Sequence, residues 1–428
     1  MSGDLLKVFQ EAYRNLEILP LLEQKELDNF RVDYGIEIIE QLEQLVEDSP
    51  SGDSKILFTG HRGCGKSTLL AEFSRKLDER YFVVFFSISD MIEMSDVNHI
   101  NILFAIAVRL MDEAEKRQVQ IKQSIKDSFY KWFATRTHIE IEELGAGASI
   151  GFDFLKIIAG KLKADATIRN EIKQEFARKV SDLIARINEI AAVVQSATQK
   201  EILVIIDDLD KLDLSVVREI YQEHIKALFL PNFRIILTIP ISALREVSLA
   251  ATFETETNNQ IVNMPVSKLF KQQERRQPNA VPQPEATATL CQVLNKRVSD
   301  EIIESRTAEK IVLYSGGVLR EVIRIANQCC RICLRLVRRD PNRTDIKIND
   351  SILKEAIKDL RIQFSPRIGI ADYQILATIY QQLQPDDPKE QRFLDLLHGL
   401  YVLEYSNDQL WYDVHPIVIE LLQERGQI

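Results

Sequence analysis

The stretch LFTGHRGCGKSTLL (Leu57 to Leu70) carries glycines, a lysine and hydroxyls at a spacing that suits phosphate. Gly60-x-x-x-x-Gly65-Lys66-Ser67 is the phosphate-loop pattern, with Gly63 between its ends. Glycines let a backbone approach an anion closely, and the amides that follow at a helix N-terminus form a nest of donors. Lys66 is placed to neutralise the β- and γ-phosphates of a nucleoside triphosphate and Ser67 to ligate Mg²⁺. Thr68 belongs to the same turn. Cys64, inside the loop, reads as a small tolerated residue.

Turning over a bound triphosphate takes a second acid, to hold Mg²⁺ or its water and to polarise the attacking water. EILVIIDDLDKL supplies it as an apolar strand ending in Asp207 and Asp208, with Asp210 just beyond. Asp207 is the expected Mg²⁺-linked acid and Asp208 the candidate general base. Helix capping would account for one aspartate but not for the strand-ending pair. The next apolar strand, RIILTIP, ends near Thr238, placed to reach the γ-phosphate or the attacking water, although threonine is also an ordinary strand residue.

The elements that must position these groups follow from the apolar runs. ILFT, YFVVFFSIS, ILVII, FRIILTIP and QIVNMP are strands separated by helical patterns, which predicts a parallel sheet covered on both faces. The fold class is therefore α/β, a parallel-sheet P-loop NTPase with a helical insertion, a following helical region read as a lid and a C-terminal module that looks like a winged helix. Residues 1–50 read as an N-terminal helical segment and 51–270 as the core, whose 90–200 interval is a helical insertion. That interval is too long for one crossover, and HIEIEELGAGASIGFDF within it alternates like a hairpin around Gly145 and Gly147. KQQERRQPNAVPQPEA reads as an exposed linker. The lid spans 285–364 and the winged helix 365–428.

A length of 428 residues suggests two or three domains, and a net charge of −10 gives the molecule as a whole no pull toward nucleic acid or anionic membrane. Of the five cysteines, Cys329, Cys330 and Cys333 crowd one helical stretch and read as small apolar filler, since without a nearby histidine the spacing is poor for zinc. With no disulfide framework, a cytoplasmic home is expected. The N-terminus lacks a secretory core, and the most apolar run, ILFAIAV, is far shorter than a bilayer span.

GHRGCGKST, VIIDDLDK, IILTIP and then YSGGVLREVIRIANQ together resemble the AAA+ and STAND divisions of the P-loop NTPases. In initiator-type AAA+ proteins a Gly-x-x-Arg in the lid puts an arginine on the phosphates; by resemblance that role falls to Arg320, after Gly317. IDDLDK is also similar to KAP NTPases, whose insertion sits where this one does, though theirs spans membranes and this one is charged. The resemblance puts the adenine pocket in the segment before the P-loop, where NFRVDYGIE offers Arg31 and Tyr34 by position. STAND ATPases such as NB-ARC proteins carry a histidine after the wing that touches the ADP phosphate, and YDVHPIVIELL gives His415 that role or one in packing. It departs from the motif at Pro416, and Leu319-Arg320 stands where those lids usually carry proline. The trans-acting arginine of AAA+ rings has a counterpart only in Arg245, near the start of its segment.

The helix from Val318 carries Arg320, Arg324, Arg331, Arg335 and Arg338 within an arc of roughly 60°. The last four form a ridge that is either a solvated face or a seat for an acidic partner: nucleic acid, another subunit or the chain's own surface. The terminal helix and wing, with Asp395, Glu404 and Asp408, make a poor DNA reader. The expectation is an ATP- and ADP-binding, Mg²⁺-dependent, slowly hydrolysing switch that assembles with itself or an effector, in bacterial defence or signalling. The rivals are a nucleic-acid-handling AAA+ ATPase and a scaffold that binds ATP without turnover.

Overall fold

β-Branched and aromatic runs become five strands in a computed structural model that describes residues 2–49, 52–139, 150–406 and 409–428. The strands are β1 (Lys55–Gly60), β2 (Tyr81–Ser87), β3 (Glu201–Asp207), β4 (Arg234–Pro240) and β5 (Ile261–Met264). They form a parallel sheet in the order β2-β3-β4-β1-β5. Nearly every residue of β1 to β4 is buried, as strands covered on both faces require.

Two compact units divide the chain. One comprises Glu37–Thr59 and Leu70–Val262, the other Met1–Ile36, Gly60–Leu69 and Asn263–Ile428. In the first, the β2–β3 register pairs Tyr81 with Glu201 and Ser87 with Asp207, so the serine and the acidic strand end reach the same edge. Thr59 donates its hydroxyl to the Ile239 carbonyl at 3.0 Å, holding the ends of β1 and β4 level.

Between β2 and β3 the insertion is helical: His99–Lys116, Gln123–Thr137, Ile150–Ala164, Ala166–Phe176 and Val180–Thr198. The first is capped by Asn98, whose side chain accepts from the Asn101 amide. It is buried almost all round, which explains why ILFAIAV is apolar without periodicity. The hairpin expected around Gly145 and Gly147 lies outside the described residues. Among the described residues no helix is long and apolar enough to cross a membrane.

In the other unit the helix Ser2–Asn15 packs on Leu319–Arg339, and Pro284–Asn295, Ser305–Tyr314 and Asp350–Phe364 complete the bundle. The terminal module follows the order read from the sequence: helices Ile370–Gln382 and Gln391–His398, strands β6 (Val402–Ser406) and β7 (Leu410–Val414), then helix Pro416–Glu424. β6 and β7 pair antiparallel, and Leu403, Tyr405 and Trp411 pack with Val266 and Val318. Asp408, expected at the tip of a wing, lies outside the described residues. The YSGG break has a steric cause: at Gly317, φ is +88° and a Cβ would fall 1.9 Å from the Ser267 carbonyl oxygen.

The segment read as an exposed linker is exposed or half-buried along its length, and it is also anchored, because Arg275 and Arg276 both reach the buried carboxylate of Asp413 on β7. The cysteine cluster is core filler: Cys329, Cys330 and Cys333 are buried and free, and burial pushes the Cys333 thiol up to about 12.

Candidate nucleotide site

The phosphate loop leaves β1 and enters the helix Lys66–Leu77, as its sequence requires. At Gly63, φ is +85° and a Cβ would lie 2.5 Å from Arg320 Cβ, so only glycine lets the two segments meet. The Arg320 amide donates to the Gly63 carbonyl at 2.9 Å, and the arginine's side chain runs against this glycine. The Gly-x-x-Arg and the loop are thus brought together. Gly60 and Gly65 also take positive φ, opening the loop's concave side to an anion.

Lys66 is buried, and its ammonium donates to the carbonyls of Gly60 and His61, both at 2.9 Å. His61 links the loop to the terminal module, since its Nε2 accepts from the Glu404 amide of β6 at 2.7 Å. Arg62 donates to His398 Nε2 at 2.6 Å. One short run therefore touches both a helix and a strand of that module. Neither His61 nor Arg62 was singled out by the sequence, where they stand in the unspecified positions of the motif. A histidine and an arginine in the x positions were the available signal.

A mostly apolar cavity lies beside the loop, lined by Leu21, Tyr34, Gly65, Thr68, Leu319 and Ile323, with Arg31 and Arg297 at its border. The segment before the P-loop contributes Arg31 and Tyr34 to its lining. Tyr34 donates to the Pro265 carbonyl at 3.1 Å, and burial raises its phenol above the ordinary range. Arg31 folds back on its own loop, donating to the carbonyls of Val32 and Tyr34. The Thr68 hydroxyl accepts from the Leu21 amide at 2.9 Å, and Ser67 beside it is partly exposed. Arg297 was not anticipated. It stacks on Phe30, and burial lowers its guanidinium to about 10.

His415 is fully buried and engaged elsewhere. Its Nδ1 accepts from the Ile417 amide, capping Pro416–Glu424, while Nε2 lies 3.7 Å from Glu321 and the ring packs on Phe364. Burial lowers its pKa to about 4, Arg324 adding to this while Glu321 and Asp413 oppose it. An unfolded histidine titrates near 6.5, so between there and about 4 the unfolded chain takes up a proton that the folded one refuses. The contribution of neutral His415 is whole above about 6.5 and is lost as the pH falls, on the order of 3 kcal/mol across the window. Urea unfolding followed by tryptophan fluorescence at pH 7.5 and pH 5 is expected to show about 2 kcal/mol of that loss, and His415→Gln to flatten it.

In the sheet-bearing unit the acids stand at the end of β3. Asp207, Asp208 and Asp210 each offer a carboxylate oxygen, all within 4.8 Å of one another. Hard oxygen donors so placed suit Mg²⁺. Asp208 has φ +69°, rare for a residue with a Cβ. Its Oδ2 accepts from Ser87 at 2.8 Å and Ser89 at 3.0 Å, and its Oδ1 pairs with Lys211 at 2.6 Å. Burial would raise its pKa, but the hydrogen bonds from Lys211 and Ser87 outweigh that and hold it below the usual carboxylate range. The Thr238 hydroxyl is committed to this turn, accepting from the Leu209 amide at 3.0 Å and lying 3.4 Å from the Ile206 carbonyl. Arg245 closes the short helical turn Ile241–Arg245 directly after β4 and is half-buried.

The ridge of arginines is narrower than expected. Arg324 turns inward to both oxygens of Glu321 at 3.1 Å and over the Phe364 ring. Arg331, Arg335 and Arg338 stay exposed.

Residues 37–222 match the family profile of the AAA ATPase domain. A search of curated protein sequences gave no match. The chain is similar to the solved structure of Cdc6p from Pyrobaculum aerophilum, at 10% identity and a TM-score of 0.40 over 95% of this chain and 97% of that one. It is also similar to the ORC2 protein of Aeropyrum pernix, solved as ADPNP-ADP complexes, at 12% identity and a TM-score of 0.41 over 98% and 99% of the two chains. Drosophila ORC bound to DNA matches at 13% identity and a TM-score of 0.29, covering 94% of this chain and 98% of that one. With their phosphate loop and strand-ending acids, residues 37–222 match an AAA ATPase domain, that of a P-loop NTPase of the AAA+ type.

Proposed function

We propose that the chain is an ATP-binding, slowly hydrolysing switch of the AAA+/STAND type, whose nucleotide state sets the arrangement of its terminal module and its assembly with itself or an effector. Lys66 and the loop amides grip the phosphates, with Arg320 responding to them. Ser67 and Asp207 serve Mg²⁺, whose charge offsets that developing on the phosphates. Asp208 serves as base, and Arg31 borders the purine. The setting is defence or signalling, by resemblance to STAND proteins.

One observation supports this reading above the rest. The carbonyl of His61 holds the Lys66 ammonium, while its ring holds the Glu404 amide of β6. A phosphate that draws Lys66 away removes a bond on the His61 carbonyl, so binding and the β6–β7 hairpin are linked through this residue.

His61→Ala is expected to leave nucleotide affinity within about threefold. It removes about 1–3 kcal/mol of coupling, the cost of an unmet buried amide. The readout is Trp411 fluorescence in ADP and in a non-hydrolysable ATP analogue, in a Trp132→Phe background. A difference between nucleotides that survives His61→Ala intact removes the link. Sizing in the same two nucleotides tests assembly, and an unchanged size in both counts against an assembling switch.

A nucleic-acid-handling AAA+ ATPase is the second reading, favoured by the exposed arginines Arg331, Arg335 and Arg338. Its mark is hydrolysis stimulated by nucleic acid, with a steep salt dependence.

A further inference from the structure

The surviving arginines line one wall of a groove whose other wall is the N-terminal helix Ser2–Asn15. Arg331, Arg335 and Arg338 stand at i, i+4 and i+7, a ladder about 10 Å long on one helix face. Gln10, Tyr13 and Arg14 face them at i, i+3 and i+4. The groove encloses about 550 Å³, within the range of ligand clefts, and none of its lining residues is acidic.

Three features bear on the occupant. The cations are all arginines, whose planar forks fit phosphate in a bidentate way and are weakly hydrated. Their internal partners are weak. Arg335 meets Glu355 at 3.3 Å with both side chains more than half exposed, and Arg331 meets the neutral amide oxygen of Gln328 at 3.3 Å. Tyr13, 40% exposed, adds an aromatic face beside the charges. Cations alone would suit any polyanion, whereas an exposed ring among arginines is what unpaired bases stack on.

We infer that this groove binds single-stranded nucleic acid, phosphates on Arg14, Arg331, Arg335 and Arg338 and a base on Tyr13. The inference deepens the second reading of the function. It does not require that the strand drive hydrolysis, so the two fail separately.

The test is fluorescence anisotropy of a labelled oligo(dT) of about twenty nucleotides against the full chain over a salt series. The log of affinity is expected to fall with log salt at a slope of about −2 to −3, as three or four neutralised phosphates give. Arg331→Gln with Arg338→Gln should make that slope shallower by about 1.4 and weaken low-salt binding at least tenfold. Tyr13→Ala should weaken it about tenfold without changing the slope. Arg343→Gln, on an exposed arginine that is not part of the groove, should change neither. No binding at low salt overturns the inference, as does binding indifferent to the groove variants. Poly-glutamate binding as tightly, indifferent to Tyr13→Ala, would assign the groove to an acidic protein instead and overturn it too. Binding without any stimulation of ATPase activity upholds the groove and removes the nucleic-acid-handling reading.

Discussion

Asp208→Asn is expected to lower the rate of ATP hydrolysis by about two to four orders of magnitude while nucleotide still binds. The side chain is set with unusual care for a residue whose backbone lies at φ +69°, a conformation that costs on the order of 1–3 kcal/mol. Two serine hydroxyls orient one carboxylate oxygen and Lys211 the other, while the next amide is tied to Thr238. The oxygen that pairs with Lys211 keeps lone-pair capacity for a water. The same donors keep the group ionised at neutral pH, so it can accept a proton only as one leaves the attacking water. Asparagine has an oxygen to accept both serine bonds and nearly the same shape, but no charge. A single-turnover rate within threefold of wild type, with binding intact, would sink the assignment and favour a scaffold. Ser87→Ala keeps the charge and loosens only its aim, so its loss should be smaller.

Asp413→Ala is the substitution expected to cost most in stability, about 3–5 kcal/mol. The carboxylate is 1% exposed and takes Arg275 Nε at 2.5 Å, Arg276 and the Val414 amide. The Arg276 guanidinium also stacks 3.8 Å from the Tyr380 ring centre, and its Nε donates to the Tyr380 carbonyl. Burial alone would lower the Arg275 pKa, but Asp413 raises it above the ordinary value, so the cation is committed to its partner. Removing the acid leaves two largely buried cations without their counter-ion, which costs far more than the intact cluster contributes. Urea unfolding should show the shift, and limited proteolysis should cut the released 271–283 segment first. A change below about 1 kcal/mol would mean that Arg275 and Arg276 reach water freely on losing their partner.

The loop from Gly60 to Ser67 and the strand ending in Asp207 and Asp208 were legible because their chemistry is local. Glycine at positive φ, amides at a helix start and an acid at a strand end are conditions that neighbouring residues impose on one another. The buried strands were legible for the same reason, whereas the Gly-x-x-Arg that carries Arg320 was picked out by resemblance alone. Partnership across long sequence distance was not. Nothing in HRGC says that His61 meets Glu404 or that Arg62 meets His398, since both contacts depend on where the terminal module packs. The arginine ridge was drawn from helical periodicity, which counts angles but cannot tell that Glu321 and Phe364 turn Arg324 inward. A Pro- and Gln-rich composition suggested slack, yet a single buried carboxylate far along the chain anchors that segment. Sequence alone determined which groups exist and which local geometry they adopt. Tertiary packing decided which of those groups are already satisfied, because burial and a partner's charge are set by residues hundreds of positions away.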